Sequence, residues 1–360
     1  MNHYPKIAAA LEAENLDAVL LTGEANRFYA SGFFTPGADA TALVTRNRAL
    51  FFTDARYTEA AARHLEDCEL REVGPGKGLT DQLREVLCSL DVRRLGFEDG
   101  AMSVRSFRRL ETALAEVPCE LTGVSETLLT LRQAKDPEEL RLLEAAQGIA
   151  ERALEEILRE IRPGVTEREI AAKIQYFMLR HGASDMSFDP IVVSGPNGSL
   201  PHGVPSAKEI RAGEFVTMDF GCVYGGYCSD MTRTVAVGSV TEEMERVYQT
   251  VLAAQEAGIS AARAGVSGKA VDAAARAVIQ EAGYGEYFTH SFGHGVGVEI
   301  HEAPNAAASN EKPLPAGAVI SAEPGIYIPG KLGVRIEDVI FITPEGCRNL
   351  TKAPKDLTVL

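Results

Sequence analysis

His294 and His301 stand seven positions apart in the run Ser-Phe-Gly-His-Gly-Val-Gly-Val-Glu-Ile-His-Glu-Ala-Pro. Glycine beside histidine lets the backbone approach a bound ion closely, and imidazole is a common metal ligand. Four carboxylates lie on either side of this run. Upstream are Asp219 in Val-Thr-Met-Asp-Phe-Gly and Asp230 in Ser-Asp-Met-Thr-Arg-Thr; downstream are Glu323 in Ser-Ala-Glu-Pro-Gly and Glu337 in Gly-Val-Arg-Ile-Glu-Asp. Each sits in or beside an apolar run, where a lone carboxylate is costly to bury. Like charges gathered there repel, so a buried group of four is stable only around cations. Four acids and one imidazole therefore fit a shared pair of divalent ions. Oxygen-rich ligation with a single nitrogen suits Mn²⁺, Co²⁺, Fe²⁺ or Zn²⁺, and no cysteine joins the set, which argues against a structural zinc site. Two such ions about 3.5–4 Å apart can lower the pKa of a bridging water towards about 7, giving a hydroxide nucleophile for hydrolysis while polarising the attacked carbonyl.

Three more residues have the right chemistry to assist. His202 lies in Ser-Leu-Pro-His-Gly, a Pro/Gly-rich loop with no core pattern, where a solvated side chain and a functional one are both open readings. The glycines around His301 make its path irregular, so its spacing from His294 does not decide which way it points. Arg335 precedes Glu337 by two residues and shares its strand face. It either holds Glu337 in an ion pair or contacts substrate.

The acids need rigid strands to bring them together. Residues 214–223 and 227–237 read as a hairpin around Gly225-Gly226. A two-residue turn there sets Asp219 opposite Thr232 and Asp230 opposite Gly221, with both aspartates on one face. A second hairpin turns at Pro329-Gly330-Lys331. Pairing Ile328 with Leu332 sets Glu323 directly opposite Glu337. Helices precede each hairpin, over residues 136–161 and 166–181, then 242–262 and 267–282. Asp136 and Pro137 fit the cap and first position of the first helix. Gly164 and Gly265, Val165 and Val266, Thr166 and Ser267, Ile170 and Val271, and Gly182 and Gly283 are all 101 positions apart. Five matches at one offset indicate a duplicated unit, whose two hairpins would face each other as a four-carboxylate cage.

Ahead of this lies an alternation of helix and strand: helix 4–14, strand 17–22, a hairpin of 41–45 and 49–53, helices 58–65 and 79–89, strand 94–98 and helix 103–117. It carries no constellation of chemical groups. The expected domains are 1–128 and 129–360. A chain of 360 residues with 45% hydrophobic content can fill two cores. Its net charge of −15 and lack of a basic tract argue against nucleic acid. No stretch approaches the roughly 20 apolar residues of a membrane span, and the N-terminus has no apolar signal segment. Six scattered cysteines without CxxC spacing read as reduced thiols of a cytoplasmic protein. A Cys222–Cys228 disulfide across the first hairpin is the alternative.

The series Asp219, Asp230, His294, Glu323, Glu337, each in its local motif, resembles the pita-bread metallopeptidases, which include aminopeptidase P, prolidase and methionine aminopeptidase. The extra N-terminal domain makes the chain look like the Xaa-Pro peptidase branch. The resemblance covers essentially the whole chain, most specifically residues 136–345. It implies an α+β protein, with a C-terminal pita-bread fold of duplicated helix pairs plus antiparallel sheet and an N-terminal α/β creatinase-type domain. It implies two divalent ions, Mn²⁺ first and Co²⁺, Zn²⁺ or Fe²⁺ as alternatives. Asp219 would chelate one ion, Asp230 and Glu337 would bridge both, and His294 and Glu323 would complete the second. His202 and His301 would bind substrate and stabilise the tetrahedral intermediate, Glu323 would shuttle the proton, and Arg335 would orient Glu337 or the substrate. The expected activity is hydrolysis of the Xaa-Pro bond in dipeptides or short peptides, by a homodimer. An Xaa-Pro bond lacks the N–H that ordinary peptidases grip, so a dedicated pocket must read the ring. The alternatives are a metallo-aminopeptidase of other specificity, such as methionine removal, and a catalytically silent binding protein on the same fold, which the complete ligand set disfavours.

Overall fold

Short apolar runs build the sheet of the N-terminal unit. The computed structural model describes residues 2–360, and the chain divides into one unit up to Arg132 and a second from Gln133 to Leu360. In the first, six strands lie in the order Glu69–Val73, Ala49–Asp54, Ala40–Thr45, Ala18–Leu21, Arg94–Phe97, Glu120–Gly123. The central strands Ala18–Leu21 and Ala40–Thr45 are buried along their whole length, as strands covered on both faces are. The anticipated hairpin is present, with Val44 paired to Ala49. Helices Tyr4–Ala13, Leu79–Ser89 and Val104–Ala113 fall close to their expected spans. Helix Glu24–Ser31 was not anticipated. Its Arg27 is buried and donates to the carbonyls of Thr35 and Gly37, so the inward face carries a charge where an apolar period would be sought.

In the second unit, local capping chemistry starts the helices. Asp136 and Glu139 form a reciprocal capping box at the head of helix Pro137–Ile157, and Thr166 with Glu169 does the same for Glu167–Arg180. Thr241 and Ser267 cap Glu242–Ala261 and Gly268–Glu281. Each helix pair covers its own core. Ile149, Ile170 and Ile174 pack with Met218 and Met231 in the first half. Val247, Val271 and Ile279 pack with Ile320 and Ile340 in the second. The duplicated plan is thus realised as two cores.

Both hairpins adopt the anticipated register. Asp219 pairs with Thr232 and Tyr224 with Tyr227 around a turn in which Gly225 and Gly226 both have positive φ. Ile328 pairs with Leu332, and farther out Ala322 pairs with Asp338. The ladders break at the acids. Strand Glu214–Phe220 gives way to Cys222–Tyr224 at Gly221, where a Cβ would lie 1.9 Å from the Ser229 carbonyl oxygen. In the second hairpin the interruption spans Glu323 and Glu337. There the Glu323 amide donates to the Phe292 carbonyl (2.8 Å) and the Glu337 amide to the Thr232 carbonyl (3.1 Å). The latter bond ties one hairpin to the other. Register also disposes of the disulfide alternative: Cys228 pairs with Val223, not Cys222, so the two thiols point to opposite faces, and both are free.

A buried ion pair adds to this tie. Arg233 Nη2 contacts Asp338 Oδ1 at 2.8 Å, with side chains 3% and 0% exposed. Arg233 also donates to the carbonyls of Glu337 (2.5 Å) and Ala353 (2.7 Å). Arg233→Ala should cost about 3–5 kcal/mol in denaturant unfolding, because Asp338 stays buried with Lys355 as its remaining cation among the described residues. A loss below about 1 kcal/mol would place the pair among the contacts that contribute little.

Candidate functional site

A cavity of about 540 Å³ in the second unit is where the broken ladders open. Asp219, Asp230, His294, Glu323 and Glu337 all line it. So do His202, His301 and Arg335. Asp219 comes from strand Glu214–Phe220 and Asp230 from the residue before strand Met231–Val237. His294 is central in Gly293–Gly295. Glu323 follows Val319–Ala322, and Glu337 sits between Leu332–Arg335 and Asp338–Ile342. Two hairpins and the strand between them thus supply the acids and one imidazole.

His294 Nε2 lies 3.2 Å from Glu323 Oε1 and 3.5 Å from Asp230 Oδ2. Asp230, His294 and Glu337 offer ligand atoms within 4.8 Å of one another, a spacing that could hold an ion. The His301 ring meets the His294 ring edge-on, with centroids 4.2 Å apart. Ser321 Oγ accepts from the His294 amide (3.0 Å) and donates to Glu323 Oε1 (3.0 Å), fixing the two side chains together.

Arg335 takes a different partner from the one anticipated. Its Nη2 donates to Asp219 Oδ2 at 2.6 Å, so the ion pair holds Asp219 rather than Glu337. Arg335 reaches Glu337 only through Thr232, whose hydroxyl accepts from Arg335 Nε (3.0 Å) and donates to Glu337 Oε2 (2.7 Å). Nη1 of the same arginine donates to Tyr327 Oη (2.8 Å), which lies 2.9 Å from His290 Nε2. Thr232, Tyr327 and His290 are site residues that sequence reasoning passed over. Register had already put Thr232 opposite Asp219, which was a usable signal. Tyr327 lies in the apolar strand Gly325–Ile328, and only the fold brings it to the guanidinium.

The electrostatics reflect crowded acids. Burial, then the charge of Asp219, pushes Asp230 well above the usual carboxylate range. Burial, then Asp230, Glu323 and Asp219, does the same to Glu337. Burial also raises Asp219, against the pull of Arg335. Glu323 goes the other way: burial opposes it, but the hydrogen bond and charge of His294 outweigh that and bring it to about 2. His294 rises correspondingly to about 9, with burial overcome by Glu323 and Asp230. His301 is lowered by burial and then by the neighbouring His294.

Two buried oxygens, Asp219 Oδ1 and Glu337 Oε1, have no hydrogen-bond partner among the described residues. In each carboxylate the other oxygen is engaged, by Arg335 and Thr232 respectively. Buried polar atoms are rarely left so. A divalent cation would supply the missing partner and stabilise the neighbouring charges, so the donor set fits the ions its chemistry suggested. No helix among the described residues is long and apolar enough to cross a membrane.

The chain is similar to known proteins along its whole length. Residues 141–344 match the model of metallopeptidase family M24, and residues 4–134 match that of the creatinase/prolidase N-terminal domain. An Xaa-Pro dipeptidase of Pyrococcus furiosus is 38% identical, with 98% of each chain covered. The solved structure of an Xaa-Pro dipeptidase from Bacillus anthracis superposes with a TM-score of 0.93 at 41% identity, over 99% of both chains. An X-Pro aminopeptidase structure from Thermotoga maritima gives 0.93 at 38% identity, over 100% of both.

Proposed function

The chain belongs to metallopeptidase family M24, and from that premise we propose that it is a dinuclear-metal-dependent exopeptidase cleaving the Xaa-Pro bond of dipeptides or short peptides. The observation that carries this reading is the convergence of four carboxylates and His294 on one cavity, with Asp219 Oδ1 and Glu337 Oε1 left unpaired. Asp219, Asp230, His294, Glu323 and Glu337 would hold the two ions, Mn²⁺ first. When bound, the ions supply an activated water for attack and Lewis-acid polarisation of the scissile carbonyl.

The chain's own groups do the rest. Arg335 and Thr232 each occupy one oxygen of a carboxylate and leave the other to ligate. Glu323, whose Oε1 is held by Ser321 and His294, would take the proton of the attacking water and pass it to the departing proline nitrogen. His202 and His301 stand at the cavity wall as donors to the oxygen that gains charge. Phe188, Ile191, Val204 and Ile300 give the same cavity apolar surface suited to a prolyl ring. The names of the relatives, dipeptidase and aminopeptidase acting on Xaa-Pro, support the proline assignment, and the proposal includes a homodimer.

The test is an assay of the metal-reconstituted protein on Xaa-Pro dipeptides, Xaa-Pro-Yaa tripeptides and Met-Ala-Yaa peptides. Proline-containing substrates should be cleaved in a metal-dependent way, with activity removed by chelation. Release of methionine from Met-Ala-Yaa with both proline sets untouched would replace this reading with the other aminopeptidase specificity.

A further inference from the structure

Glu167 is 0% exposed, at the first position of helix Glu167–Arg180, and takes no part in the cavity. Its carboxylate accepts six hydrogen bonds. Oε1 receives the amide (2.7 Å) and hydroxyl (2.9 Å) of Ser194 and Nδ2 of Asn197 (3.1 Å). Oε2 receives Asn197 Nδ2 (3.2 Å) and the amide (3.2 Å) and hydroxyl (2.7 Å) of Ser206. Ser194 ends strand Ile191–Ser194, and Ser206 is where the chain returns from the loop 195–205. One carboxylate therefore clasps both ends of the loop that carries His202.

The fold by itself does not ask for that carboxylate. The duplicated half has the same helix entry, with Gly268 at the corresponding position 101 residues on. The backbone bonds there are equivalent: the Glu167 amide donates to Lys208 O (3.1 Å) and the Gly268 amide to Lys312 O (3.4 Å). The helix start is thus made without the acid in one half; in the half that has it, the acid holds the loop 195–205, which lines the cavity through His202 and Val204. The middle of that loop is held from the site itself. Arg335 Nη1 donates to Pro201 O (3.3 Å), and Gly198 packs so closely on Gly333 that a Cβ on Gly333 would lie 1.8 Å from Gly198 O.

We propose that Glu167 is a positioning residue for the reaction, setting where His202 stands by clasping the two ends of its loop. The inference rests on the donor role assigned to His202 above. Because charge-assisted bonds to a buried carboxylate are strong and His202 itself is exposed, the loop's placement comes from its backbone anchors, at the ends through Glu167 and at Pro201 through Arg335, rather than from packing of the ring.

The test is Glu167→Gln, alone and combined with His202→Ala. Glutamine keeps the shape but turns an amide towards the Ser206 amide, so that end of the clasp opens. Glu167→Gln should lower kcat about tenfold or more while metal content stays at the parent level. In the His202→Ala background it should cost little further, since the group it positions is gone. Hydrogen exchange of loop 195–205 should speed up in Glu167→Gln, with the helix amides of 168–180 unchanged. A full multiplicative loss in the double variant, or loop exchange equal to the parent, would overturn the proposal. If His202→Ala alone leaves the rate intact, the donor role of His202 fails, and the proposal for Glu167 fails with it even where exchange shows a clasp. Should Glu167→Gln not fold, Ser206→Ala removes one donor from the same end, and the same readouts apply.

Discussion

Asp230→Ala and Glu337→Ala should each remove at least about 10³-fold of the rate, more than the loss of a single hydrogen-bond donor, together with much of the bound metal. Both side chains face the shared space between the hairpins. Both are held well above the usual carboxylate range, by burial first and by the other acids next. Such a cluster is a poor arrangement for stability alone and a good one for binding cations. The sign of the stability effect separates those roles. In chelated protein, Glu337→Gln should leave the unfolding midpoint unchanged or raise it, since the cost of burying an acid among other acids is gone. In metal-loaded protein the midpoint should fall, because binding that stabilises the native state is weakened. Metal analysis together with thermal unfolding reads both. Near-normal turnover with two ions bound in either variant would refute the ligand assignment.

The sequence carried the site through register and turn chemistry. Gly-Gly at 225–226 and the Pro-Gly turn at 329–330 each allow essentially one pairing, and that pairing alone brings Asp219 opposite Thr232 and sets Glu323 towards Glu337. Helix starts were legible for the same local reason, since Asp136 and Thr166 each meet a glutamate three residues on. What stayed hidden depends on contacts far apart in sequence. Arg335 stands only two residues before Glu337, yet its guanidinium goes to Asp219, 116 residues away. Glu167 reads as one more acid in a helix's first turn until Ser194 and Ser206 converge on it. Strands Glu69–Val73 and Glu120–Gly123 escaped because they are short and partly exposed, with no continuous apolar run.

Three of the four histidines that line the cavity, His202, His294 and His301, should separate cleanly by substitution. His294→Ala should lose metal, because its Nε2 is the nitrogen that approaches Asp230 and Glu323. His301→Ala should keep the ions and lose about 10²–10³-fold in rate, as removal of one well-placed donor to a developing oxyanion does. Its ring touches His294 edge-on and makes no hydrogen bond to a carboxylate among the described residues, so the acids lose nothing directly. Burial lowers its pKa, which favours the neutral ring with one N–H to donate. His202→Ala should behave similarly, with its loop intact on Glu167. Metal content and kcat measured on the three variants decide the roles. Metal loss at His202 or His301, with full occupancy in His294→Ala, would reverse them.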